Sequence, residues 1–577
     1  MSDVLKIKAV RAEEFPRTFT KRVKSFSHYP EIEPCYKALE KNIKEVSQPK
    51  DLEQWLLDYS ELDAALNEEH SRLYIAMTCN TANEAASKAY LTFIEEIEPQ
   101  LKQWNDKLIK AFLAADHLKN LDQRRTEVLV KKMKNKVKLF REENIPLQTE
   151  DSKLGQEYQK ISGGMTVQWE GEEKTLKQMA SLMEETDRAK REAVWTLVDA
   201  CRKKHASQLD EIFSKLVKNR HQRAINAGFK NFRDYQHASY NRFDYTPDDC
   251  FTFHHTVEHL VVPLLEKLRS ERAKKLSLPV LRPWDLAVDA DGEQPLRPFT
   301  KATELIDACQ NIFSSLDDDL AAQFKKMNEL DLLDLENRKG KAPGGYQSTL
   351  DEVRLPFIFM NASGTNQDLF TLLHEAGHAF HAFASREEPW VAYRHAPMEF
   401  CEVASMSMEL MGMDYLQNVY RNPHETKRAK RDILEDILVK LPWIAAIDAF
   451  QHWIYLNPEH TAEERAQQFC QLMKRFNPGI DWSQYEESLG RQWQKQLHLF
   501  EVPFYYIEYG IAQLGALQLW LKYKENPAEA LAAYKCGLSL GGSRPLPELF
   551  DAASIHFDFS EKTIVPALAS LRKELDL

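Results

Sequence analysis

The sequence predicts a mainly α-helical protein, and three observations support this. Glycine is sparse, with 19 residues in 577, whereas good helix formers such as Leu, Ala, Glu, Lys and Gln dominate. Apolar residues recur every three or four positions over long segments. The pattern is clearest in residues 52–66, 82–114, 123–141 and 188–227. No repeat of fixed period is evident, which argues against a solenoid.

Composition excludes several classes of protein. A chain of 577 residues that is 43% hydrophobic can bury a large core in roughly three or four domain-sized units. Its net charge of -12 comes from interspersed acidic and basic residues, which argues against a nucleic-acid partner. No apolar run approaches the ~18 residues that cross a membrane, and residues 1–8 lack the apolar stretch of a secretory signal.

Two irregular segments interrupt the helices. Residues 277–299 contain four prolines and a turn sequence, DADG, and predict a long connection between helical blocks. Residues 339–345 form a glycine-rich loop without the spacing of a nucleotide-binding loop. Residues 353–360 then predict a short strand in which Pro356 requires an edge or a strand-start position. An extended peptide can add to such an edge through backbone hydrogen bonds.

A metal-binding motif follows this strand. His374 and His378 are four residues apart, so both imidazoles lie on one face of a helix that we expect to begin within residues 365–368. With Glu375 they form H-E-x-x-H, which offers two nitrogen ligands for zinc and a carboxylate that can accept a proton from water. His381 is about 10 Å further along the axis than His374, so we expect it to have a supporting role.

A catalytic zinc needs a third protein ligand, and the segment 395–409 offers one. Pro397 suits the first position of a helix, on which Glu399, Glu402 and Glu409 share one face. Glu399 and Glu402 both remain candidates for the third ligand, and Cys401 is interpreted as packing. Apolar neighbours predict that this helix is buried: Met398, Phe400, Val403, Met406 and Met408.

A third cluster of polar residues lies near the C-terminus. Tyr505 and Tyr509 are four residues apart, and His498 precedes them. Phenol or imidazole groups on one side of a helix can stabilise the oxyanion that forms during amide hydrolysis. The alternative interpretation is an aromatic core cluster.

The eight cysteines are far apart and include no C-x-x-C pair. In a chain of this size, this pattern is typical of reduced thiols. We therefore expect a cytoplasmic location.

Together, these motifs resemble the oligoendopeptidase F/thimet oligopeptidase family of zinc metallopeptidases, on its oligoendopeptidase F side. The resemblance covers most of residues 180–570 and, more loosely, the N-terminal helices. It rests on the order and spacing of several segments: 220–229, 232–235, 340–346, 368–381, 399–405 and 503–509.

The resemblance implies a two-lobed, mainly helical zincin-type molecule with a deep substrate channel and a small β-sheet beside the H-E-x-x-H helix. Residues 1–180 would form an N-terminal helical lobe and residues 181–577 the catalytic region. One zinc ion would lie on the floor of the channel. The narrow channel implies short peptide substrates, whose backbone would align along the strand near residues 357–360.

The resemblance also implies roles for individual residues. His374 and His378 would bind zinc, and the family's third ligand corresponds to Glu402. Glu375 would act as the general base and then carry the proton to the leaving amine. Glu409 would orient a ligand histidine.

The family binds substrate and transition state through a C-terminal histidine and tyrosines, which correspond here to Tyr509 first, then Tyr505 and His498. The expected reaction is therefore hydrolysis of internal peptide bonds. Two alternatives stay open. One is a zinc exopeptidase that anchors a chain end with Arg386 or Arg394, and the other is a helical peptide-binding protein with a vestigial site.

Overall fold

The computed structural model describes residues 14–577. Of this structure, 70% is helical, and the prediction of a mainly α-helical fold is confirmed. The absence of a secretory signal was predicted from residues 1–8, which lie outside the described residues.

From residue 14 onwards, the N-terminal part consists of six α-helices and a hairpin. The helices are α1 (Tyr29–Lys44), α2 (Pro49–Cys79), α3 (Glu84–Thr92), α4 (Glu98–Leu113), α5 (Gln123–Leu139) and α6 (Asn144–Gly164). A π-helical segment, Phe93–Ile97, joins α3 to α4. Strands β1 (Thr166–Trp169) and β2 (Glu172–Thr175) form the antiparallel hairpin.

The middle of the chain holds seven more helices and a three-stranded sheet. The helices are α7 (Leu176–Ser181), α8 (Arg188–Asn226), α9 (Phe232–Ser239), α10 (Pro247–Thr256), α11 (Val262–Lys275), α12 (Ala302–Leu316) and α13 (Asp318–Glu329). The strands are β3 (Leu333–Glu336), β4 (Tyr346–Leu350) and β5 (Leu355–Ala362). All four helical segments predicted from periodicity are confirmed. The connection predicted at 277–299 is also confirmed, between α11 and α12.

The C-terminal part is helical. It comprises α14 (Asn366–Ala384), α15 (Val391–Arg394), α16 (Met398–Gly412), α17 (Pro423–Leu456), α18 (Ala462–Phe476), α19 (Glu486–Gly490), α20 (Leu497–Glu501), α21 (Tyr506–Glu525), α22 (Pro527–Ser539), α23 (Leu546–Ala552) and α24 (Glu561–Leu575).

The three-stranded sheet lies beside α14, as predicted, but its order corrects one expectation. The strand order is β3-β5-β4, so the strand that contains Pro356 is central and the prediction of an edge is wrong. Pro356 is the second residue of β5 and pairs with Thr349, which confirms a position at the strand start. Phe357, Ile358 and Phe359 are almost completely buried, as expected of a central strand. The free edge beside this part of the sheet belongs to β4.

Two hydrophobic cores divide the molecule. The smaller core is built from residues 23–133 together with Trp390 and Tyr393, and the larger core extends from Ile75 to Leu575. Two cavities, of about 650 and 600 Å³, lie between the N-terminal helices and the rest of the chain. The two cavities are neighbours, because four wall residues are common to both: His70, Glu98, Lys102 and Gln148. The lobe boundary at residue 180 stays a prediction.

Within residues 14–577, none of the helices combines the length and the apolar character that a membrane span requires. The eight cysteines are all free. The cytoplasmic location stays a prediction.

Candidate metal centre and active site

The start of α14 fixes the position of the H-E-x-x-H motif. Thr365 is the N-cap, and its hydroxyl accepts a hydrogen bond from the Asp368 backbone N–H at 3.2 Å. The Asp368 carboxylate in turn accepts from the Thr365 backbone N–H at 3.0 Å, which completes a capping box. The helix therefore begins where the sequence predicted. Its apolar face is buried, as expected, through Leu369, Leu373, Phe380 and Phe383.

A glycine inside the motif brings α14 and α16 into close contact. A Cβ atom on Gly377 would lie 2.6 Å from the Ala404 carbonyl oxygen and from the Ser405 Cα, so only glycine permits this approach. Pro397 is the N-cap of α16, one residue before the predicted position. Met398 is 40% exposed, contrary to expectation, because it lies in the first turn. The other four apolar neighbours are buried: Phe400, Val403, Met406 and Met408.

This close packing places Glu402 beside both histidines. Its Oε2 lies 3.2 Å from His374 Nε2 and 3.6 Å from His378 Nε2. Ligands of a tetrahedral zinc ion, at about 2.0–2.1 Å from the metal, lie roughly 3.4 Å apart, so this donor set fits zinc. Glu399 faces away and accepts a hydrogen bond from the Tyr245 hydroxyl at 2.6 Å. The geometry therefore favours Glu402 as the third ligand.

Hydrogen bonds orient these candidate ligands. Glu409 Oε1 lies 2.7 Å from His374 Nδ1, which directs Nε2 towards Glu402. Burial alone would lower the pKa of His374, but its hydrogen bonds to Glu402 and Glu409 raise the pKa well above its ordinary value. Burial lowers the pKa of His378 to about 4, so this ring is neutral and its lone pair is free to bind metal.

Glu375 lies outside this ligand group and is 5% exposed. Burial raises the pKa of its carboxyl to about 8, and its Oε2 has no hydrogen-bond partner within residues 14–577. The side chain faces β4, since a Cβ on Gly345 would lie 3.3 Å from its Oε1. A buried carboxylate that lies beside candidate metal ligands and has one oxygen without a hydrogen-bond partner is suited to proton transfer.

The C-terminal residues meet the same site. His498 Nε2 lies 2.9 Å from the Tyr509 hydroxyl, and the Tyr509 ring centroid is 6.5 Å from that of His374. The Tyr505 hydroxyl instead donates a hydrogen bond to Glu402 Oε1 at 2.5 Å. The structure thus brings all three predicted residues together, but Tyr505 contacts a candidate ligand.

Two supporting residues were not predicted from the sequence. The Gln496 side-chain amide lies 2.9 Å from His498 Nδ1, and Lys440 lies 3.9 Å from Glu409. Neither belongs to a recognisable motif, and Lys440 lies far from Glu409 along the chain.

Comparison with known proteins now identifies the family. The family model described as Peptidase family M3 matches residues 181–565, and the Peptidase M3 N-terminal domain model matches residues 26–140. The chain belongs to peptidase family M3. The resemblance identified from the motifs is therefore confirmed.

Individual relatives of this M3 chain agree with the family assignment. It is 26% identical over 305 residues to an oligoendopeptidase F homolog of Borreliella burgdorferi, covering 50% of this chain and 49% of the relative. It is 23% identical over 319 residues to the oligopeptidase PepF of Bacillus subtilis, covering 55% and 47% respectively. The chain thus spans about half the length of these curated relatives. The solved structure of PZ peptidase A with an inhibitor matches with a TM-score of 0.92 and 28% identity, covering 97% of this chain and 99% of that one.

Two other groups of metal-binding side chains occur in the described part of this M3 chain. They are His237, Cys250 and His452, and His255, Glu258 and His259. The Arg242 guanidinium lies 3.2 Å from His237 Nε2, and its positive charge opposes a cation in the first group. Arg475 binds the carboxylate of Glu258 in the second group through two hydrogen bonds. Neither group matches the first as a metal centre.

The remaining predicted residues lie outside the ligand group. His381 is buried beside Phe400. Arg394 is 7% exposed and donates to the Asp351 carbonyl at 2.6 Å, and Arg386 pairs with Glu14. Both arginines thus have partners within the protein, which weakens the exopeptidase alternative.

Proposed function

We propose that this chain is a zinc-dependent oligoendopeptidase that hydrolyses internal peptide bonds of short, unstructured peptides. The observation that carries the proposal is the group formed by His374, His378 and Glu402, with Glu375 beside it. Two imidazoles, one carboxylate ligand and an adjacent buried carboxylate are the side chains of a hydrolytic zinc site. Membership of peptidase family M3 supports the same reaction class.

Each side chain has a definite task in this mechanism. Zinc, when bound, polarises the scissile carbonyl and lowers the pKa of water. Glu375 accepts a proton from the attacking water and transfers it to the leaving amine, because burial raises the pKa of its carboxyl above that of an ordinary glutamate and makes the carboxylate a stronger base. Glu409 holds His374 in the tautomer whose Nε2 faces the metal position.

Tyr509 stabilises the oxyanion in this mechanism. Its hydroxyl donates to the carbonyl oxygen as negative charge develops there, and such a donor contributes about 2.7–4 kcal/mol in comparable sites. His498, at 2.9 Å from this hydroxyl, holds the phenol in position. Tyr505 assists indirectly, since its hydrogen bond fixes the carboxylate of Glu402.

The surroundings of the site favour an extended peptide. The free edge of β4 replaces the strand near residues 357–360 as the element that aligns the substrate backbone. The cavity of about 600 Å³ next to it has room for side chains of such a peptide. In this proposal residues 1–180 form the helical lobe over the site and residues 181–577 the catalytic region.

A blocked peptide tests the proposal directly. A quenched decapeptide blocked at both ends is incubated with the purified protein, with a chelator, and with the chelator followed by zinc, and the products are identified by mass. We expect internal cleavage that the chelator abolishes and zinc restores. Cleavage only of the unblocked peptide would support the exopeptidase instead, and zinc binding without cleavage of either peptide would support the binding protein.

A further inference from the structure

The cavity of about 600 Å³ begins at the free edge of β4. Its wall includes Ser348 of β4, together with Glu501 at the end of α20 and Tyr74 of α2. Ser348 lies three residues after Gly345, which faces Glu375. The cavity therefore adjoins the proposed site of cleavage, and side chains of a peptide aligned on β4 have access to it.

We propose that Glu501 is a specificity-determining residue that binds a cationic group of the peptide substrate in this cavity. The group is an ammonium or guanidinium, supplied by a Lys or Arg side chain or by the N-terminal amine. The inference rests on the proposed peptidase function and adds to it a class of preferred substrate.

The carboxylate of Glu501 is held in position by neutral groups. The Tyr74 hydroxyl donates to Glu501 Oε2 at 3.3 Å, and the Gln159 amide donates to the same hydroxyl at 2.9 Å. Helix α6 makes room for the side chain, since a Cβ on Gly155 would lie 3.3 Å from Glu501 Cγ. The position of Glu501 is thus fixed by contacts from α2 and α6, while no ion pair within residues 14–577 neutralises its charge, which only the more distant guanidinium of Arg220 offsets.

Glu501 has no ion-pair partner among residues 14–577. Three cationic side chains also line the cavity, but each is bound to acceptors of its own. Arg220 donates to the Tyr455 hydroxyl and the Leu499 carbonyl, both at 2.8 Å, Arg223 lies 2.5 Å from Asp151, and Lys102 lies 3.0 Å from Glu98.

An unpaired carboxyl of this kind favours a cationic ligand for two reasons. Burial raises its pKa to about 8, because the anion is poorly solvated where it lies. A substrate cation would supply a charge-assisted hydrogen bond that the protein does not provide. A neutral substrate side chain in the same cavity leaves the carboxyl without that partner, so the cavity discriminates between the two.

Matched peptides test this inference. A doubly blocked peptide series carries, at each position in turn, either Lys or norleucine, which has the four-carbon side chain of lysine without its ammonium group. The value of kcat/KM is measured for the wild type, Glu501→Gln and Glu157→Gln. Glu157 is an exposed glutamate on α6 and serves as the control. We expect the wild type and the control to prefer Lys roughly tenfold or more at one position, and Glu501→Gln to lose that preference.

A second set of peptides identifies the source of the cation. Norleucine peptides with a free or an acetylated N-terminus are compared in the same three proteins. A preference for the free amine that Glu501→Gln abolishes assigns the cavity to the N-terminus, whereas a preference confined to internal Lys assigns it to a side chain. Glu501→Lys provides a check on folding, because it should reverse the preference towards peptides with Glu at the same position.

Binding separates this inference from the proposed function. Anisotropy of labelled Lys and norleucine peptides is measured with Glu375→Gln and with the double variant that also carries Glu501→Gln. A Lys preference present in the first and lost in the second supports the inference even if the wild type cleaves neither peptide, which would overturn only the peptidase proposal. Equal binding of Lys and norleucine peptides by both proteins, or a preference that persists in Glu501→Gln, would overturn the role of Glu501.

Discussion

Two walls beside the proposed cleavage site contain carboxylates that are shielded from solvent, and the partners of these carboxylates differ. On the wall formed by α14 and α16, Glu402 lies 3.2 Å and Glu409 2.7 Å from a nitrogen of His374. On the wall formed by α20, the carboxyl of Glu501 accepts a hydrogen bond from the Tyr74 hydroxyl and interacts with the Gln159 amide, both of which are neutral groups. Imidazoles thus compensate the negative charges on the first wall, whereas on the second wall Glu501 has no ion pair among residues 14–577 and feels only the more distant charge of Arg220.

The pKa values follow this difference. Burial raises the pKa of both groups, but at Glu402 the electrostatic effect of the nearby His378 imidazole and the hydrogen bond from His374 outweigh burial and lower the pKa to about 2. At Glu501 burial dominates and raises the pKa to about 8. Glu375 resembles Glu501, with a pKa also raised to about 8. Paired carboxylates therefore fix the geometry of the site, and unpaired ones remain free to act on a substrate.

The change Glu375→Gln tests this distinction with the largest effect. The amide retains the shape of the side chain but cannot accept a proton, so we expect kcat/KM to fall by roughly 10³-fold or more. The zinc content, measured by mass spectrometry on the same preparation, should stay at one ion per chain, because Glu375 is not a ligand. Near-normal turnover would rule out Glu375 as the base.

The change Glu409→Gln acts on a paired carboxylate and should have a smaller effect. Loss of the charge beside His374 Nδ1 weakens the orientation and basicity of this ligand, which typically costs 10–100-fold in metal affinity. Competition with a chromogenic chelator measures this affinity, and Glu157→Gln provides the control. An affinity equal to that of the control would mean that Glu409 has no influence on the metal.

Local sequence patterns were sufficient to predict α14 and its motif. The capping box of Thr365 and Asp368 fixes where the helix begins, and H-E-x-x-H spacing alone places His374 and His378 on one face. The helix that carries Glu402 was predicted in the same way. Each of these features depends on residues that are close in the sequence.

Features that depend on distant residues could not be predicted locally. Spacing alone did not separate Glu399 from Glu402, because what holds Glu399 away is the hydroxyl of Tyr245, 154 residues earlier. Pro356 indicated an edge strand or a strand start. The strand is nevertheless central, because β3 pairs with the other side of β5, and the sequence around Pro356 carries no signal of that partner. Glu501 likewise gave no signal, since its surroundings come from α2 and α6.

The smallest expected effect concerns stability, and it tests the premise that the carboxyl of Glu501 lacks an ion-pair partner. Its pKa is about 8 in the folded chain against 4.5 for an ordinary glutamate. Between these two pH values the unfolded chain releases the proton and the folded chain retains it, so the free energy of unfolding falls as the pH rises through this window. Below pH 4.5 the contribution is fully present, and above pH 8 it is lost.

In Glu501→Gln this loss is absent. In the metal-free protein, the free energy of unfolding of the variant should therefore rise relative to that of the wild type as the pH increases from 5 to 9. We expect this rise to be on the order of 1–2 kcal/mol after solvent screening. Urea unfolding curves at both pH values measure the gain, and Glu157→Gln should follow the wild type. Other carboxyls with raised pKa values, such as Glu375 and Asp432, are common to all three proteins and cancel in the comparison. If the free energy of unfolding changed with pH in the same way in all three proteins, the Glu501 carboxylate would be as well solvated as that of Glu157. The physical argument that this cavity favours a cation would then fail.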